Sequence, residues 1–306
     1  MAEIGALQVR SDRRPAMGGT ATITLVGGTP RLLDDCFGLL TDLEQAWSRF
    51  LPGSDVWRLN CAQGLPVRVR PCTARLVREL MEAWALTGGD FDPTVLPRLV
   101  AGGYAASRVD ASRRTLLPDT VVWPGAAAEI EVAGSVIRLP LGTTLDPGGL
   151  GKGLAADMVA EFTLDRGAAG VLAEVGGDVV VAGQAPDGAT WAIGIENPFG
   201  PGELLTTVRL SRGAVATSSR LVQTWAGADG PAHHLIDPAT GRSAATSTVT
   251  STVIAGTGAR AEALAKLAFL RAPDPLLAWL PAIGAAALIV DADQQRRCSP
   301  NWSEFA

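Results

Sequence analysis

Leu145 to Asp157 reads Leu-Asp-Pro-Gly-Gly-Leu-Gly-Lys-Gly-Leu-Ala-Ala-Asp, and no other stretch constrains the fold as tightly. Four glycines fall within six positions, one lysine stands among them, and the run passes straight into a helical pattern. Ala155, Ala156, Met158, Val159, Ala160 and Phe162 give that helix its apolar side, and Gly167 is placed to stop it. Glycine lets backbone N–H groups approach a ligand closely, and a helix N-terminus carries partial positive charge, so the stretch has the chemistry of a phosphate cradle. A plain strand-to-helix turn has the same pattern. The spacing excludes two familiar loops. A Walker A loop has a glycine five residues before the glycine of its Gly-Lys pair and a Ser or Thr after the lysine, whereas Asp146 and Gly153 stand there. The dinucleotide-fold fingerprint fails on spacing as well.

At 306 residues and 47% apolar, the chain is long enough for one large domain or two intimately packed ones, with a full core. No apolar run reaches the roughly 20 residues of a membrane span. A net charge of −5 disfavours non-specific binding to nucleic acid or to a membrane surface. Cys36, Cys61, Cys72 and Cys298 have neither metal-ligand nor redox spacing. The first residues lack an apolar h-region and a cleavage site, which sets the expectation of a cytoplasmic protein. Of 26 basic residues only Lys152 and Lys266 are lysine, and the only two histidines, His233 and His234, are adjacent.

Residues 1–16 are polar and Arg-rich and read as a flexible leader before a single domain over 17–306. Alternation predicts strands over 20–26, 191–196 and 204–210, β-branched residues mark another over 248–255, and further strands are expected over 286–291 and, as a pair, within 119–140. A further buried strand over 170–182 is interrupted at 174–178. Helical spacing predicts helices over 31–50, 74–86 (with Thr73 as cap), 259–270 and 275–280. Trp57–Asn60 reads as a short strand. Helices and strands alternate without a strict βαβ rhythm, which favours an α+β fold over a doubly wound parallel sheet.

Several short motifs occur in a collinear order: Met17-Gly18-Gly19-Thr20, Ser54 to Asn60, Gly89 to Val95, Asp146 through Lys152-Gly153 to Asp157, Val175-Gly176-Gly177-Asp178, Trp191 to Pro198, Ala216-Thr217-Ser218, and His234 through Asp237 to Gly241. In that order the chain resembles the ApbE family of flavin transferases over about residues 17–290. The resemblance implies two similar mixed α/β halves packed around an FAD cleft. It implies transfer of the FMN half of FAD to a Thr or Ser hydroxyl of an acceptor flavoprotein, with release of AMP. The implied flavin contacts begin with Met17, Gly18, Thr20, Asn60, Phe91, Asp92 and Thr94. They continue with Asp146, Gly149, Lys152, Asp157, Gly177, Asp178, Ser218, His234 and Ile236. His234 is the implied general base, Asp237 orients it or binds flavin, and Lys152 sits at the pyrophosphate. Attack on phosphorus needs charge neutralisation and positioning, plus a base titrating near neutrality, and these residue types supply both.

One departure stands out. The family holds magnesium with an Asp and a Thr four residues apart on a late helix, helped by a backbone carbonyl near the glycine loop, here Gly151. This chain has Glu262 and Lys266 at the helix positions. Glutamate can ligate a metal, but a protonated lysine cannot. Either the pair is an ordinary i,i+4 ion pair, or the Lys266 ammonium takes the metal's place. Magnesium is thus in question. Two alternative functions stay open: a flavin-binding module that does not transfer, and an FAD pyrophosphatase.

Overall fold

The computed structural model describes residues 7–227 and 230–306. Strict alternation over Gly19–Gly27 puts Ala21, Ile23 and Leu25 fully inside and Thr20, Thr22 and Thr24 on the opposite face. Val9–Ala16 pairs antiparallel with this strand, from Val9↔Val26 to Ala16↔Gly19. The two join through Met17-Gly18, whose φ values of 53° and 77° are those of the hairpin turn that follows strand twist. Residues 9–16 are therefore an edge strand and not a loose leader. The segment's charges mark such an edge, since Arg14 points inward, stacks on Phe37 and pairs with Asp34. The rest of the expected leader, residues 1–6, lies outside the described residues.

Eight strands form one antiparallel sheet, in the order Val9–Ala16, Gly19–Gly27, Ala168–Val175, Asp178–Gly183, Gly213–Ser219, Thr248–Ala255, Ala286–Asp291 and Arg296–Cys298. One face is covered by the helices Leu32–Trp47, Gly151–Asp165 and Gly258–Ala265, which bury the main core around Ile23, Leu40, Trp47, Leu154, Val159 and Leu264. The other face is covered by the hairpin of Trp191–Glu196 and Leu204–Leu210, whose Ile193, Ile195 and Val208 meet Val181, Val215 and Ile254. Covered on both sides, Thr248–Ala255 is buried at all eight positions, and its unbroken run of apolar and hydroxyl residues follows from that. No helix among the described residues is long and apolar enough to cross a membrane.

The glycine helix, Gly151–Asp165, crosses the glutamate helix, Gly258–Ala265, where each has a glycine. A Cβ on Gly153 would lie 2.2 Å from the Gly258 carbonyl oxygen, and one on Gly258 would lie 2.3 Å from that of Gly153. Each helix carries a carboxylate four residues after its glycine, and each carboxylate caps the other helix. Asp157 accepts from the N–H groups of Gly258 (2.7 Å) and Ala259 (3.0 Å), and Glu262 accepts from that of Gly153 (2.9 Å). The helix starts are thus tied to each other, not to water.

Elsewhere the structure departs from the sequence reading. Trp57–Asn60 lies within a helix, Asp55–Cys61, because the Ser54 hydroxyl caps it by accepting from the Trp57 N–H. The next helix starts at Pro71, a favoured first position, so Thr73 is inside it and donates instead to Asp55. The strands expected within 119–140 are Glu131–Ala133 and Val136–Arg138, which join Val67–Arg68 in a small separate sheet. The helix expected over 259–270 ends as an α-helix at Ala265 and continues as a 3-10 turn, Lys266–Phe269.

Candidate active site

Lys152 stands in the first turn of the glycine helix, and its stem passes the Gly176-Gly177 turn. A Cβ on Gly176 would lie 2.8 Å from Lys152 Cδ, so a glycine there opens the path. The Lys152 ammonium donates to Asp178 Oδ2 (2.5 Å) and Glu262 Oε1 (2.9 Å). Lys266 donates to the Glu262 carbonyl (3.1 Å) and to the same Oε1 (3.4 Å). The Lys152 and Lys266 side chains, stems included, are 28% and 16% exposed, whereas both carboxylates are 3% exposed.

Burial alone would raise the Glu262 carboxyl. Lys152, Lys266 and the Gly153 N–H outweigh burial and hold it ionised, well below the ordinary glutamate range. Burial likewise pulls against the charged form of Lys152, but Asp178 and Glu262 more than offset it and hold its pKa above the usual lysine value. For Lys266 burial prevails over Glu262, and its pKa falls.

His234 follows the strand Gly230–His233, and Leu235 fixes it by packing on Ala244 and Phe269 beside the Lys266 turn. Its Nδ1 is buried with no partner among the described residues. Burial, then the charges of Lys266 and Lys152, depress its pKa to about 3. The ring is neutral at pH 7, and its titration is displaced from the near-neutral range expected of it, because burial and two lysine charges oppose its protonation. His233 is separate: its Nε2 meets the Ala244 carbonyl at 3.3 Å. Stability should record this depression. The unfolded chain binds a proton at His234 near pH 6.5 and the folded chain does not, so the histidine's contribution is complete above pH 6.5 and is lost as pH falls toward 3. Each unit of depression corresponds to about 1.4 kcal/mol. Urea denaturation between pH 7 and pH 4 should show a steeper loss in the wild-type chain than in His234→Gln.

The structure brings Lys152, Asp178, Glu262, Lys266 and His234 together, next to Gly177. The Met17-Gly18 turn is close by, since the Gly176 N–H donates to the Thr20 carbonyl (2.9 Å) and the Met17 N–H donates to Glu44. Ser218 lies directly across from Ser251, whose buried hydroxyl has no partner among the described residues. Ile236 is half-buried in the short ladder that follows His234.

Other expected contacts serve the scaffold. The Thr20 hydroxyl is on the outer face of its strand, where it accepts from Arg13. The Asn60 amide is clipped to both backbone groups of Leu145 and is 4% exposed. Phe91 is buried beneath Gly149, where a Cβ would lie 2.7 Å from the ring. Asp92 closes a turn by accepting from the Thr94 N–H and hydroxyl, both at 2.7 Å, and Thr94 has no exposed surface. Asp157 is the helix cap already described. Asp237 does not orient His234, because its oxygens take the Ala239 N–H (2.8 Å) and the Thr240 hydroxyl (3.1 Å) and shape the turn. Asp146 pairs with Arg49 at 3.2 Å. Sequence reasoning missed Arg49, which is buried between the rings of Phe50 and Tyr104, and no local pattern marks it.

The magnesium implied by the resemblance does not fit these donors. Glu262 Oε2 is taken by the Gly153 N–H and Oε1 by two ammonium groups, and Lys266 is a donor only. Hard divalent cations require several free oxygens. Among the described residues no group of three or more His, Cys, Asp or Glu side chains is placed to hold a metal.

The comparisons with known proteins agree with this fold and these motifs. The FAD:protein FMN transferase of Treponema pallidum is 26% identical over 286 residues, covering 87% of this chain and 79% of that protein. The Vibrio cholerae protein of the same name is 25% identical over 254 residues, covering 78% and 75%. In fold, the chain matches the crystal structure of the ApbE protein of Thermotoga maritima with a TM-score of 0.85 at 24% identity, covering 97% of this chain and 99% of that one. The apo flavinyl transferase ApbE of Pseudomonas stutzeri matches at 0.82 and 23%, covering 99% and 98%. The family model for ApbE matches residues 17–289, nearly the whole length of the chain, which therefore belongs to the ApbE family.

Proposed function

We propose that this chain is an FAD:protein FMN transferase. It moves the FMN part of FAD to a Thr or Ser hydroxyl of an acceptor flavoprotein and releases AMP. The observation that carries this reading is Lys152, in the first turn of a glycine-rich helix, joined through Glu262 to Lys266 beside a neutral histidine, in a member of this family. Lys152, at the start of the glycine helix, receives the pyrophosphate and neutralises charge that builds up in the transition state. The acceptor oxygen bonds to the phosphorus of the FMN half, and the bond from that phosphorus to the bridging oxygen breaks. AMP leaves with the electron pair, and the hydroxyl proton passes to His234. A bound pyrophosphate also offsets the lysine charges that depress His234, so the base strengthens when substrate is present.

The Glu262–Lys266 pair favours a second reading, a family member that holds FAD without transferring FMN. Product analysis separates the two. The purified chain is incubated with FAD and a protein carrying a flavinylation threonine. The expected result is AMP together with an acceptor heavier by one FMN. Free FMN with AMP would mean hydrolysis, and neither product despite FAD binding would mean a binding module.

A further inference from the structure

We infer that this protein seats the pyrophosphate of its flavin nucleotide on two ammonium groups, Lys152 and Lys266 bridged by Glu262, and needs no divalent cation to bind it. The inference rests on the flavin reading above and deepens it.

Two features of the site carry it. The first is the donor set. A divalent cation at Glu262 would have to displace the Gly153 N–H from one oxygen and both ammonium groups from the other, and it would then lie against two positive charges. Removing the Gly153 contact would also undo the cap that joins the two helices. The second is unspent capacity. Each ammonium has three donors and uses two on protein oxygens, which leaves one apiece for a ligand. A pyrophosphate, with a charged oxygen on each of two phosphorus atoms, matches two such donors sharing one carboxylate.

Glu262 is thus a positioning residue. It holds two like charges together that would otherwise repel, and it fixes them relative to the helix start. Lys266 touches the substrate phosphate in this arrangement, and its distance from Glu262 along one helix face allows both contacts at once.

The test measures FAD binding, independently of transfer. The full chain is titrated with FAD, following flavin fluorescence, once with excess magnesium and once with EDTA after removal of bound metal. The expected dissociation constants agree within about twofold, because no metal contact is lost. Lys266→Met should weaken FAD binding by about tenfold or more under both conditions, the size expected for one charge-assisted hydrogen bond. A tenfold loss of wild-type affinity on chelation overturns the inference, as does an unchanged affinity in a folded Lys266→Met chain. The wild-type comparison decides the matter even if that variant does not fold. Failure of wild-type protein to bind FAD in either condition would remove the flavin reading itself, which distinguishes that failure from the failure of this inference.

Discussion

His234→Gln should lower the rate of FMN transfer by about 10²- to 10⁴-fold, the range for loss of a positioned general base. Glutamine keeps a polar side chain at the site but cannot take up the acceptor's proton. The loss should fall on the chemical step, with FAD affinity largely kept, since the pyrophosphate rests on Lys152 and Lys266. Two measurements check this: single-turnover transfer at saturating FAD, and FAD titration of the same variant. The pH profile adds a signature. The wild-type rate should fall in acid as His234 protonates in the complex, and the variant's residual rate should lack that limb. A variant that transfers FMN at the wild-type rate would remove His234 from the mechanism.

Gly153→Ala should destabilise the fold by about 3 kcal/mol or more, at the upper end of overpacking effects. The added methyl would lie 2.2 Å from the Gly258 carbonyl oxygen, and that obstacle is backbone, not a side chain able to turn aside. Relief requires the glycine and glutamate helices to separate, which breaks the Asp157 and Glu262 caps together. Gly38→Ala is the control. Gly38 lies inside the helix Leu32–Trp47, and a Cβ there meets nothing within 4 Å. Its replacement should stabilise by about 0.5–1 kcal/mol through helix propensity and a less flexible unfolded chain. Urea denaturation of both variants reads the opposite signs directly. A neutral effect at Gly153 would mean that the helices do not meet there.

The strands were largely legible because they alternate or, where covered on both faces, run unbroken. Trp191–Glu196, Leu204–Leu210, Thr248–Ala255 and Ala286–Asp291 lie where alternation and β-branching place them. What misled was local chemistry read without its partner. Residues 9–16 carry the charges of a loose segment, and only pairing with Gly19–Gly27 makes them a strand. The site was legible in its residue types and not in their assignments. Lys152, His234, Glu262 and Lys266 do converge, but nothing in the sequence shows that Asn60 would turn to Leu145, or that Asp237 would be consumed by its own turn. Glycine spacing signals a cradle, whereas long-range capping leaves no local trace.

The mutual caps of the two helices also bear on the order in which the molecule comes together. Lys152 meets Glu262 across 110 residues of chain, and Gly153 meets it across 109. Closing so long a loop brings no return until most of the sheet between them has formed. The cluster therefore cannot form on a chain synthesised only through Thr248–Ala255, because Glu262 and Lys266 follow that strand. On the proposed reading, nucleotide binding locks a nearly finished fold, adding stability in proportion to the logarithm of its free concentration over its dissociation constant.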